Sequence, residues 1–168
     1  MAGLCLMAHD ERGVLRPPGP LHVTLARTDD ADKVGHFAEL MPALAQRLMF
    51  PCMTALELER PAVWAAGARH DVRLALRSPG CLGEFRAEIN GLFGGAGLRM
   101  DDLHITAATC DTPEAAAAEA ARIEALLFAE RPARVLVTGM YLDMRPRRGP
   151  PAARHAAARH AARRAARK

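Results

Sequence analysis

Two histidines open nearly the same four residues in two distant parts of the chain: His22-Val23-Thr24-Leu25 and His104-Ile105-Thr106-Ala107. An isolated imidazole changes charge at about pH 6.5, so a pair can hold one neutral and one protonated ring near neutrality. The neutral ring can take a proton from an attacking water or hydroxyl, and the charged ring can give one to the departing oxygen. Two threonine hydroxyls can donate to the non-bridging oxygens of a phosphate, where charge grows in the transition state. His22, His104, Thr24 and Thr106 are therefore the candidate catalytic residues for chemistry on a phosphate ester. No HExxH-type motif or acidic cluster demands a metal, so the expectation is of no metal and no cofactor.

For an imidazole and a hydroxyl to act together they must leave the backbone on one side. A strand does this, because residues i and i+2 share a face. The segments 21–27 (LHVTLAR) and 103–109 (LHITAAT) alternate and are rich in β-formers. His22 and Thr24 then project together, as do His104 and Thr106, while Val23, Leu25, Ile105 and Ala107 point into a core. Further strands are expected over 3–8, 53–59, 69–77 and 133–144, with PAVWAAGA (61–68) as a connection or an extension of the strand before it. Helices are expected over about 31–48, kinked at Pro42, over 80–93, stopped by Gly94 and Gly95, and over 113–129, opened by Pro113. Residues 10–20, with four closely spaced Pro and Gly residues at 17–20, read as a loop. Strand, polar turn, helix, strand thus occurs twice, from Leu21 to about Glu59 and from Leu103 to about Met144.

Other residues carry weaker signals. Arg27 closes the first motif strand and could hold a phosphate, or be a solvated surface arginine. Tyr141 and Trp64 could stack on a base, with packing in an aromatic-poor core as the plainer reading of each. Arg27 and Tyr141 stand as the substrate-binding candidates. His9, His36 and His70 lack a partner pattern and read as surface or structural. Gly94-Gly95-Ala96-Gly97 lacks the Lys-Ser/Thr of a phosphate-binding loop and reads as a helix stop. Cys5, Cys52, Cys81 and Cys110 form no CxxC pair and are expected as buried free thiols in a reducing compartment.

The net charge of +4 is unevenly distributed. Residues 145–168 hold nine basic and no acidic side chains, which leaves 14 basic against 19 acidic in residues 1–144. The division expected is a domain over 1–145 and a basic Ala/Arg-rich tail over 146–168 that lacks the large aliphatic side chains of a core. Such a tail suits non-specific contact with RNA or another polyanion, with nuclear targeting or a solubilising disordered end as the alternative uses. No apolar run approaches the roughly 20 residues needed to span a bilayer, and the start shows no signal-peptide pattern. A soluble, cytoplasmic monomer without a membrane partner is the expectation.

The two tetrapeptides resemble the H-φ-[S/T]-φ pair of the 2H phosphoesterase superfamily, φ being an apolar residue. The order of elements over residues 3–144 looks like its LigT-like branch, the 2′-5′ RNA ligase and cyclic phosphodiesterase group. The resemblance implies an α+β, bilobal, pseudo-symmetric fold, with two antiparallel sheets lining a central cleft and helices outside. It also implies metal-independent cleavage of 2′-5′ phosphodiester or 2′,3′-cyclic phosphate bonds. The implied partner is a nucleotide, short RNA, 2′-5′ oligoadenylate or a 2′-5′-linked cyclic dinucleotide such as cGAMP. Two features depart from the pattern: Ala107 is small for its place, and a Pro-rich loop precedes the first motif where many relatives have a helix. The alternative function is a non-catalytic RNA- or nucleotide-binding module using the same cleft and the tail.

Overall fold

Among the described residues, alternating apolar and polar side chains become six antiparallel strands: β1 (Ala2–His9), β2 (His22–Thr28), β3 (Ala55–Ala66), β4 (Arg69–Arg77), β5 (His104–Cys110) and β6 (Arg134–Met144). A computed structural model describes residues 2–47, 51–77, 80–93, 98–129 and 132–144; the basic tail and Gly94-Gly95-Ala96-Gly97 lie outside them. The helices are α1 (Ala31–Gln46), the single turn α2 (Pro51–Thr54), α3 (Gly80–Leu92) and α4 (Pro113–Leu127). The protein is thus a mixed α+β fold.

Side chains set the helix starts. Asp30 caps α1, its carboxylate accepting from the Asp32 N–H at 3.0 Å. Thr112 caps α4, its hydroxyl accepting from the Ala115 N–H at 3.2 Å just ahead of Pro113. The helix α1 continues through Pro42. The expected strand 53–59 is shifted: Met53 and Thr54 end α2, and β3 runs on to Ala66. It can do so because Gly67, at φ 70°, turns the chain sharply into β4, where Ala66 pairs with Arg69.

The strands join in the cyclic order β1-β2-β5-β4-β3-β6, a closed barrel. The expected pair of sheets is therefore bonded into one, through two short seams. At one, β2 meets β5 through the single pair Val23↔Ile105. At the other, β3 meets β6 over Ala55↔Leu136 to Glu57↔Arg134. The helices pack on one face of this sheet: α1 against β6 and β2, and α4 against β3, β4 and β5. The core lies between, with Leu4, Leu6, Val23, Leu25, Leu74 and Ile105 fully buried. On α3, Leu82, Phe85 and Ile89 recur at helical spacing and are buried together.

Two expectations change here. Trp64 is not core, since 52% of it is exposed. Cys5 and Cys110 are free thiols, Cys5 buried and Cys110 half-buried, but Cys81 is disulfide-bonded. A disulfide depends on spatial approach, which sequence spacing does not reveal. Among the described residues, no helix is long and apolar enough to cross a membrane.

Candidate active site

The two motifs take up matching conformations. Along β2 and β5 the first five residues follow the same pattern: half-buried His, buried apolar, half-buried Thr, then two buried residues. Val23, Leu25, Ile105 and Ala107 are fully buried on the helix-covered side. His22, Thr24, His104 and Thr106 lie on the opposite face. Because Val23 pairs with Ile105 antiparallel, the register sets His22 next to Thr106 and Thr24 next to His104. The two histidines are then diagonal neighbours, a relation that spans about 7–8 Å in an antiparallel pair. The seam of the sheet thus brings all four sequence-predicted catalytic residues together.

Both strands also bulge at the residue after the threonine. In β1–β2 the register passes from Cys5↔Thr24 to Leu4↔Ala26, leaving Leu25 unopposed. In β4–β5 it passes from Arg73↔Thr106 to Val72↔Ala108, leaving Ala107 unopposed. A bulge releases a carbonyl from the ladder, and a buried carbonyl needs a donor. Leu25 O accepts from Arg86 Nε of α3 at 3.3 Å, and Ala107 O accepts from the Arg16 N–H at 3.1 Å. Each bulge also advances the alternation by one residue. Arg27 thereby returns to the face of Thr24, where its Nη2 donates to Thr24 Oγ1 at 3.4 Å. Its Nη1 lies 3.8 Å from Asp101.

The imidazoles are held in the same way. His22 Nδ1 lies 2.8 Å from Pro20 O, and His104 Nδ1 lies 2.8 Å from Asp102 O. A carbonyl can only accept, so each Nδ1 carries the hydrogen and each Nε2 is left for a ligand: acceptor when the ring is neutral, donor when it is charged. Burial pushes the His104 pKa below its ordinary value. The Asp102 carbonyl works against this, the Arg73 and Arg27 guanidiniums reinforce it, and Asp101 opposes it weakly.

Tyr141 reaches the site from β6, its ring meeting the His22 ring edge-on with centroids 6.1 Å apart. Residues invisible as motifs also share this face. Arg73 is the register partner of Thr106, and Asp71 that of Thr109. Cys5 partners both Thr24 and Tyr141. Cys5 Sγ, a His22 ring nitrogen and an Asp143 carboxylate oxygen lie within 4.8 Å of one another. A thiolate, an imidazole and a carboxylate form a donor set suited to a soft divalent ion such as zinc. The three come from different strands, so no spacing in the sequence could show them. His9 and His36 are exposed, and His70 lies beside Cys110 at the far end of β4.

No family model matches the chain, and no curated protein matches it.

Proposed function

We propose that this protein is a metal-independent phosphodiesterase of the 2H type. It would cleave 2′-5′ phosphodiester or 2′,3′-cyclic phosphate bonds in nucleotides or short RNA, 2′-5′ oligoadenylate and 2′-5′-linked cyclic dinucleotides included. The observation that carries this reading is the duplicated constellation. Two imidazoles, each tied through Nδ1 to the carbonyl two residues before it at 2.8 Å, sit beside two threonines where the motif strands meet. The strand order supports two pseudo-symmetric lobes facing a cleft. Replacing every strand by the one three later reproduces the same cyclic order. One lobe is then β1, β2 and β6 with α1, and the other is β3, β4 and β5 with α4.

The chemistry follows from the arrangement. His104, inclined to the neutral form by burial and by Arg73 and Arg27, is the base, and His22 is the acid. Water adds to phosphorus and its proton passes to His104 Nε2. The bond from phosphorus to the leaving oxygen breaks, and that oxygen takes the proton from His22 Nε2. Thr24 and Thr106 donate to the non-bridging oxygens, and Arg27 adds positive charge beside Thr24.

The test is turnover of a 2′,3′-cyclic nucleotide, a 2′-5′ oligoadenylate and a 2′-5′-linked cyclic dinucleotide, each with EDTA present. Hydrolysis of any of them, lost in His104→Ala, is the expected result. Binding without turnover would instead make this a nucleotide-binding module. Activity abolished by EDTA and restored by zinc would transfer the chemistry to the Cys5, His22 and Asp143 trio.

A further inference from the structure

Arg73 belongs to no motif, yet its environment is unusual. It is the β4 partner of Thr106 and so projects on the same face. One edge of its guanidinium is fixed, Nη2 donating to Asp71 Oδ2 at 2.8 Å, and Asp71 Oδ1 is itself held by the Thr109 hydroxyl at 2.9 Å. The Trp64 ring lies against the guanidinium carbon, 5.5 Å from centroid to Cζ. Nε is buried and has no hydrogen-bond partner among the described residues. A charged donor held on two sides and unsatisfied on a third is a place for an anion.

The two halves of the site point to which anion. In the first half Thr24 has its own guanidinium, because the bulge brings Arg27 round to it at 3.4 Å. In the second half the residue at the same offset from Thr106 is Thr109, which carries no charge. Arg73 fills that place from the neighbouring strand. Resting on the phosphodiesterase reading above, we infer that the Arg73 guanidinium, whose side chain keeps 27% of its surface exposed, donates to a non-bridging oxygen of the scissile phosphate, beside Thr106. Each threonine of the site then works with one arginine, and the pair of guanidiniums neutralises a phosphodiester anion from both flanks. Asp71 and Trp64 position the guanidinium and do not touch the substrate.

The experiment uses the full chain with Arg73→Gln, Arg73→Lys and Arg73→Ala. The first readout needs no turnover: inorganic phosphate is titrated while the ring protons of His22 and His104 are followed by NMR. Phosphate should shift both rings in the wild type and bind more weakly to Arg73→Gln. The second readout is kinetic, on whichever diester the wild type hydrolyses. Loss of one preorganised donor to the developing charge should lower kcat by about 10²–10³, with KM changed less, and free guanidinium should recover part of the loss in Arg73→Ala. Arg73→Lys keeps the charge and covers the case in which Arg73→Gln fails to fold. Removing the charge should also raise the His104 pKa and move the acid limb of the rate profile to higher pH. The groups facing that ring are Asp102 through its carbonyl, Arg73, Arg27 and Asp101. Equal phosphate affinity and unchanged kcat in Arg73→Gln would overturn the inference and leave the histidine reading standing. A loss confined to KM would place Arg73 on a different part of the substrate. Phosphate that shifts neither ring in the wild type would end both readings.

Discussion

On the phosphodiesterase reading, replacing His22 or His104 by Ala would remove one half of a proton relay, and turnover should fall by about 10²–10⁴ in either variant. The double variant should be far less than multiplicatively worse, because the two rings act as one unit; steady-state kinetics on the four proteins decides this. The half-buried and cation-flanked His104 should titrate below about 6.5, the ordinary value for histidine. As the base it must be neutral, so its protonation sets the acid limb, and activity is lost as pH falls through that lowered pKa. NMR titration of the His104 ring and the kcat/KM profile should give the same midpoint; a ring that titrates above the ordinary value would reverse the acid–base assignment. At this scale the sequence was legible where chemistry repeats along the chain. His22, Thr24, His104 and Thr106 announce themselves as two copies of one pattern. Arg73, Asp71 and Cys5 do not, because they reach the site from neighbouring strands and their relation to the motifs is one of register. The scarcity of aromatics points Trp64 toward the core, but its place on the hairpin leaves it half exposed.

The elements that position these residues were legible to the extent that local chemistry defines them. The caps Asp30 and Thr112 and the alternation of 69–77 mark boundaries without tertiary help. The twin bulges were harder to see. Their trace is a pair of adjacent buried residues, Leu25-Ala26 and Ala107-Ala108, which interrupts the alternation, but a strand end looks much the same in sequence. Their consequence can be tested through Arg86, whose Nε donates to Leu25 O and whose Nη2 donates to Asp101 O at 2.7 Å. It joins the first motif strand to the approach of the second, where the strands share only one pair. Arg86→Met should cost about 1–3 kcal/mol, the range for stranding a hydrogen-bonded group, and should lower turnover as well. Thr112→Ala should cost about 1 kcal/mol with turnover per folded molecule unchanged, since it only opens α4. Urea unfolding with parallel kinetics separates the two cases; equal turnover in both variants would count against a link between the bulge and the site.

At the scale of the whole molecule, the body has a net excess of acidic side chains, and residues 145–168 are wholly basic among their charged groups. Deleting residues 146–168 should weaken binding to long RNA at low salt and flatten its salt dependence, because arginine–phosphate contacts release counterions. Turnover of a dinucleotide should change little. Titrations of both proteins at two salt concentrations, with small-substrate kinetics alongside, test the division. The barrel was the least legible feature, since closure rests on seams as short as Val23↔Ile105 and Ala55↔Leu136 to Glu57↔Arg134. Closure also imposes an order on synthesis. Of the six described strands, the first made, β1, pairs with the last, β6, from Ala2↔Met144 to His9↔Leu136. While the chain is still being translated, both histidine motifs can be complete and β1 can be paired with β2, yet the other edge of β1 stays open. An open strand edge beside exposed apolar surface is prone to association with other chains. Leu4 and Leu6, fully buried in the finished protein, therefore wait for the last strand on the ribosome, and a chain stalled within α4 is exposed to aggregation until β6 arrives.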